Sequence, residues 1–455
     1  MLYYKVQKYS PIAEEHTMLG IGIDIGTTTI CGVLFDDEQH AVLKSVTHPN
    51  DSFIVYPEKW KKRQDPVRIL TVVYEILDEL SEEGRAVSVI GLTGQMHGIV
   101  YIDSGGNAVS ELYTWQDGSG EERMEQGESY AECLGRLTGY PMATGYGLVT
   151  HFYNIKTRSV PEKARKICTI QDYIGIRLTE RKEPLVHVSD AASFGGFSIQ
   201  HGEFDRSALK AAEIDVAILP EITDEQAILG TYRGIPVTTA IGDNQASFLG
   251  AVQDTGNSLL VNIGTGSQIS VMTTSTEATE NTEIRPFLKG SYLLVGSSLC
   301  GGRAYAALER FFRSYAVELG MPEESQYDTM NRLAEQVYHM TSEEKLEVAT
   351  TFYGTRRNPN LRGSIRNLAI DNLTPAHMIA GFLEGTVSEL YQLYTEMKTV
   401  LPESPSILIG SGNGLRKNRV WRDMASEMFG MELHLTVHQE EASCGAAIFG
   451  LKAVK

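Results

Sequence analysis

Two short segments far apart in the chain are near copies of each other. Asp24-Ile25-Gly26-Thr27 and Asn262-Ile263-Gly264-Thr265 differ only by an Asp/Asn exchange. Each sits between two strand-like runs. Ile21, Ile23 and Ile25 alternate with Gly22 and Asp24, a period of two, and a second run covers 29–35. In the other copy, 258–263 and 268–273 read the same way. Four matching residues are a weak signal alone, and the shared strand–turn–strand setting strengthens it. It predicts two related domains: an arm at 1–18, a first domain at 19–245 and a second at 246–455.

The remaining pattern fits α/β units. Beyond the first pair lie a strand at 41–46, a helix opening at Pro66 and ending before Gly84, and a strand at 87–92. Ile69, Val73, Ile76, Leu77 and Leu80 give that helix its spacing. The second half offers strands at 258–263, 268–273 and 293–297, a helix at 304–318 and surface helices over 319–350. Strand meanders followed by helix and strand imply a mixed sheet in each half. A length of 455 residues accommodates two to three domains of ordinary size.

Composition excludes several classes. With 42% hydrophobic and 22% charged residues, the chain is neither disordered nor collagen-like. Its net charge of −18 repels nucleic acid and anionic membrane surfaces. No apolar run approaches the roughly 18 residues of a membrane span, and the first residues lack a secretory apolar region. The five cysteines form no Cys-x-x-Cys pair; an odd count fits a reducing compartment and buried apolar roles. A cytoplasmic protein is expected, with the arm at 1–18 a flexible terminus or a homodimer contact.

Several segments bear chemistry. A Gly-Thr turn presents backbone N–H groups and hydroxyls to phosphate oxygens, although a plain hairpin turn reads the same. Asp24 lies in an apolar strand just before its turn; a carboxylate there is costly unless paired or bound to a metal such as phosphate-associated Mg²⁺. Asp243 follows an apolar strand at 235–241 and opens a helix reaching Val252. It is either an N-cap or a general base for a substrate hydroxyl. Gly410-Ser411-Gly412-Asn413-Gly414 joins the strand 407–409 to a helix through Trp421 and Met428, allowing close approach to a ring or phosphate. Gln95-Met96-His97 and Trp115-Gln116-Asp117 offer donors, acceptors and an aromatic face suited to a polyol. The chain has no Gly-x-x-x-x-Gly-Lys-Ser/Thr loop, no His-Glu-x-x-His and no Gly-x-Ser-x-Gly elbow.

These segments, in order, resemble the FGGY carbohydrate kinases of the actin–hexokinase ATPase superfamily. The resemblance rests on IGIDIGTTT (21–29), GQMHG (94–98), TWQDG (114–118), IGDNQAS (241–247), VNIGTGSQ (261–268), CGGRAYAALERF (300–311), IGSGNG (409–414) and EEASCGAAIFG (440–450). It implies two ribonuclease-H-like domains around an interdomain cleft, with sugar on the first and MgATP on the second. By that resemblance Asp243 is the catalytic base, and Asp24 works at Mg²⁺ and the phosphates. Thr27, Thr28, Gly264 and Thr265 form phosphate loops, and Gly302, Gly412 and Asn413 line the nucleotide pocket. Gln95, Met96, His97, Trp115, Asp117 and Asn244 face the sugar.

Met-His followed by Trp-x-Asp is similar to the ketose branch. TWQDG, VSDAASFGGF (188–197) and FYGTRRNPNLRG (352–363) are most similar to the sedoheptulose-specific branch, which implies phosphorylation of sedoheptulose at its terminal hydroxyl. Xylulose or ribulose is the alternative acceptor. Many relatives carry Arg two residues after the Trp-x-Asp aspartate; here Ser119 stands there, with Arg123 the nearest arginine beyond. Two other classes remain. A non-catalytic sugar sensor needs neither Asp24 nor Asp243, and a filament or chaperone-like ATPase needs no polyol pocket.

Overall fold

The computed structural model describes residues 18–81, 85–125, 127–340, 344–355 and 358–455. The arm, apart from Met18, and Arg356-Arg357 of the 352–363 segment lie outside the described residues.

The first half builds a mixed sheet around strand Leu19–Ile25. This strand pairs antiparallel with Thr29–Asp36, which pairs antiparallel with Ala41–Pro49. On its other side it pairs parallel with Val89–Gly94, followed by Ile235–Thr238 and the edge strand Ile228–Tyr232. Helix Pro66–Ser81 covers one face, and all five of its periodic apolar residues are buried. Asp65 opens it by accepting a hydrogen bond from the Val67 amide.

The second half repeats that order. Strand Ser258–Ile263 pairs antiparallel with Ser267–Thr273, which pairs antiparallel with Tyr292–Ser298. On its other side it pairs parallel with Ile407–Ser411, and that with Leu433–Leu435. Strand Thr282–Pro286 adds an edge beside Tyr292–Ser298. The two Gly-Thr turns therefore occupy the same place in two equivalent sheets.

Two helices tie the halves together by exchange. Helix Asp243–Ala251 leaves the first sheet through the short strand Ile241–Gly242, yet its Phe248 and Leu249 pack with Leu260, Leu293 and Val295 of the second. Helix Glu441–Lys452 leaves the second sheet and packs its Cys444, Ala447 and Leu451 with Val33, Phe35 and Val89 of the first. The elements approach backbone to backbone. A Cβ on Gly445 would lie 1.8 Å from the Ala246 carbonyl oxygen, and one on Gly22 1.9 Å from that of Ser443. Only glycine permits such contact.

Several elements differ from the expectations. The strand at 235–241 is two strands, Ile235–Thr238 and Ile241–Gly242, interrupted where the Thr239 amide turns to the Ala227 carbonyl. The helix after Gly410 is also two, Gly412–Lys417 and Arg419–Phe429. Extended Asn418 separates them and caps the second by accepting from the Trp421 amide. Among the described residues, the 319–350 region holds one helix, Tyr327–Val337, and a strand, Glu347–Ala349. All five cysteines are free; four are buried and Cys31 is half-buried. No described helix is long and apolar enough to cross a membrane.

Candidate active site

Between the two turns lies a cavity of about 630 Å³. Asp24, Thr27, Gln95, Met96, His97, Trp115, Asp243 and Asn244 all line it. Eight of the residues singled out from sequence, drawn from four segments, thus meet on one wall. A second chamber of about 590 Å³ shares Met96, His97, Trp115 and Arg285 with it.

The carboxylates dominate the electrostatics. Asp24 ends its strand half-buried, and burial followed by the charge of Asp243 pushes its pKa up to about 7. Asp243 is raised by burial, opposed by the Arg285 guanidinium and by a backbone hydrogen bond at Asn244. Gly242 is the helix N-cap, so Asp243 is the first helical residue rather than the cap. The helix N-terminus favours its ionised form.

The residues of the Gln95–His97 and Trp115 segments are held from behind. The Gln95 side-chain amide donates to Gln64 Oε1, and Gln64 donates to the Thr27 carbonyl. Gln95 Oε1 and Asn244 Oδ1 are buried acceptors without a donor among the described residues; an acceptor left so calls for a ligand donor or water. His97 takes a left-handed backbone (φ 73°), stacks on Tyr146, and donates its ring Nδ1–H to the Ser193 carbonyl. That contact sets the tautomer. Trp115 is 46% exposed and donates from its indole to Thr27 Oγ1 at 3.0 Å, joining its loop to the first Gly-Thr turn.

Asp117, expected to face the sugar, is absent from the cavity wall. It is fully buried, accepts from the Ser119 and Lys62 amides, and faces Arg63 Nε at 3.5 Å. Here Asp117 builds the loop that presents Trp115. Arg63 also places its guanidinium over Tyr113. It thus stands beside Asp117, where the chain has Ser119 in place of an arginine; Arg123 instead reaches the Gly127 carbonyl at the surface.

The second turn joins the cavity through Asn262, whose amide donates to Ser411 Oγ at 2.6 Å. Thr28, Thr265 and Asn413 are solvent-exposed. The Gly302 amide donates to the Gly264 carbonyl. Gly412, at φ 85°, approaches so closely that a Cβ would lie 2.6 Å from the Ile263 carbonyl oxygen. Gly302 and Gly412 pack on the second turn, and neither they nor Gly264, Thr265 and Asn413 line the cavity.

Four further polar lining residues had no role in the sequence reading: Gln268, Ser411 and Glu441, which lie in quoted segments, and Arg285, which lies in none. Glu441 was detectable. It opens helix Glu441–Lys452 as Asp243 opens helix Asp243–Ala251, at the equivalent place in the repeat. Burial raises its pKa, and it accepts from Thr436 Oγ1 at 2.7 Å with Arg416 nearby. Arg285 sits on an edge strand with no local motif.

The donor set fits one hard cation. No group of three or more His, Cys, Asp or Glu among the described residues forms a protein-only metal cage. Asp24, half-buried on the wall with no side-chain hydrogen bond among the described residues, suits Mg²⁺ that keeps most of its water.

Residues 19–260 match the N-terminal domain of the FGGY family of carbohydrate kinases, and residues 259–454 its C-terminal domain. Sedoheptulokinase from Homo sapiens is 27% identical, over 95% of this chain and 97% of that protein. Gluconokinase from Bacillus subtilis (strain 168) is 26% identical, over 95% of this chain and 87% of that protein. The crystal structure of xylulose kinase from Rhodospirillum rubrum superposes with a TM-score of 0.81 at 21% identity, covering 95% of this chain and 89% of that one. The duplicated sheets, the cleft between the two turns and the match of both domains have one reading: the chain belongs to the FGGY family of carbohydrate kinases.

Proposed function

We propose that the protein transfers the γ-phosphoryl group of ATP to the terminal hydroxyl of a ketose, with sedoheptulose first and xylulose or ribulose the alternative. The observation that carries this reading is the meeting of Asp24 and Asp243 on one cavity wall, beside the buried acceptors of Gln95 and Asn244. Asp24 lies in the strand that enters the first Gly-Thr turn, and Asp243 lines the same cavity, near enough for its charge to act on Asp24.

Asp243 orients the acceptor hydroxyl and takes its proton as the oxygen–phosphorus bond forms. The bond from the γ-phosphorus to its bridging oxygen breaks, and that electron pair leaves with ADP. Backbone amides of the two Gly-Thr turns donate to phosphoryl oxygens, positioning rather than reacting. Mg²⁺ held at Asp24 would supply charge neutralisation between β- and γ-phosphates. Gln95, His97 and Asn244 orient the sugar, and Trp115 offers it an aromatic face. Closure of the cleft excludes water that would otherwise compete for the phosphoryl group.

Support for the seven-carbon sugar comes from the human relative and from residues 188–197. That segment lies beneath the sugar side: Ser193 holds His97, and Ser189 Oγ accepts from the Gly242 amide next to Asp243. The test is Asp243→Asn. Sugar-dependent turnover is expected to fall at least about 10³-fold, near the upper range for a general base, while calorimetric ATP affinity stays unchanged. Near-normal turnover in the variant would sink the assignment.

A further inference from the structure

Strand Thr282–Pro286 is the edge of the second sheet, and it faces the chamber beyond Asp243. Glu283 and Arg285, two residues apart, project from the same face of that strand. Both line this chamber, whose opposite wall is Tyr140, Tyr146, Ser193 and Phe197 of the first domain. Arg285 also reaches the inner cavity that holds Asp243. The Pro286 carbonyl accepts from the Gln245 side chain at 2.9 Å, which pins the strand to the helix that Asp243 opens.

The charges lining the two chambers are one-sided. Asp24, Asp243, Glu441 and Glu283 face Arg285, which is the only lysine or arginine on either wall among the described residues. Arg285 is already paired with a carboxylate: its Nε and Nη2 both donate to Glu283 Oε1. A sugar acid would bring its carboxylate into this negative field and would have to displace Glu283 from its partner. Such like-charge juxtaposition is a strong discriminator. An uncharged polyol instead meets donors and acceptors together.

We propose that the Glu283–Arg285 pair selects uncharged sugars over sugar acids at this site. The inference rests on the sugar-kinase reading and deepens it. It separates two acceptor classes represented among the relatives, ketoses and gluconate, by a pair on the nucleotide-side domain.

The test compares wild type, Glu283→Gln and the double variant Glu283→Gln/Arg285→Met. Turnover with MgATP is measured on sedoheptulose, xylulose and gluconate, with calorimetric binding of each sugar in parallel. Wild type is expected to favour a ketose. Glu283→Gln is expected to raise gluconate kcat/KM relative to the ketose by about tenfold, chiefly through KM, because Arg285 is released. Removing Arg285 as well is expected to return the ratio toward wild type. Circular dichroism melting confirms that each variant is folded. An unchanged ratio in folded Glu283→Gln, or gluconate preferred by wild type, overturns the pair's role. Absence of turnover on every sugar contradicts phosphoryl transfer instead, and the binding ratio then decides the pair alone.

Discussion

The two halves have one plan and use it differently. In the first sheet Asp24 is in register with Thr93; in the second, Asn262 is in register with Ser411. The amide of Asn262 closes onto Ser411 and ties its turn to the neighbouring strand end. Asp24 makes no such tie. Thr93 instead donates to the Ile241 carbonyl, and the carboxylate is left facing the cavity. The next residues diverge likewise. Gly94 leads to Gln95-Met96-His97 on the cavity wall, whereas Gly412, packed against the second turn, leads to exposed Asn413. The duplicated scaffold thus keeps an acid on the cavity wall in one half and, in the other, an amide that ties its turn to the neighbouring strand.

Exchanging the two turn residues tests this contrast most severely. Asp24→Asn is expected to lower sugar-dependent kcat by about 10²–10³-fold, the range of a lost electrostatic contact to the transferring group. Asn262→Asp is expected chiefly to raise KM for ATP, by about tenfold, since the added charge sits beside phosphate and loses an amide donor. Equal losses of kcat in both variants would erase the distinction between the turns.

The helix exchange is the structural half of the comparison. Gly445→Val forces a side chain into the Ala246 backbone, and about 3 kcal/mol or more of stability is expected to be lost. Thermal melting reads it. An unchanged midpoint would mean that the two helices do not cross at backbone contact.

A smaller effect concerns Asp24 without ligands. Its pKa is about 7 in the folded chain against 3.8 as the reference, so the folded state holds the extra proton between those values. Stability therefore falls as pH rises through that window. The full shift corresponds to about 4 kcal/mol, and water in the cavity reduces the expected effect to about 1–2. Asp24→Asn is accordingly expected to be more stable than wild type at pH 8 and alike at pH 3.5. Chemical denaturation at both values checks it. Least of all, Thr27→Val removes the contact from the Trp115 indole, with about a fivefold rise in sugar KM expected from one lost hydrogen bond.

The repeat made the sheets legible, since alternating Ile21, Ile23 and Ile25 report the period of a strand directly, although the face that Gly22 occupies is buried too, against helix Glu441–Lys452. Helix Ile170–Thr179 went unread for the converse reason. Eight of its ten residues are buried, so it has no polar face and no amphipathic period. Its Thr169–Asp172 capping box was the available signal. At the site, residues on strand ends and turns were legible because chemistry there needs particular side chains at particular offsets. Asp117 lies off the cavity wall, and a carboxylate that builds a loop and one that binds a sugar look alike in sequence. Arg285 reaches the cavity, and Gln64 reaches Gln95 behind it, from strands that only the folded register brings near.

The central claim is that both halves form one phosphoryl-transfer site for an uncharged sugar. It is tested most directly by ADP release from MgATP over sedoheptulose, xylulose, ribulose, fructose, glycerol and gluconate. Strong stimulation by a ketose, sedoheptulose foremost, is the predicted result. No stimulation by any of the six, with ATP binding intact, would contradict it.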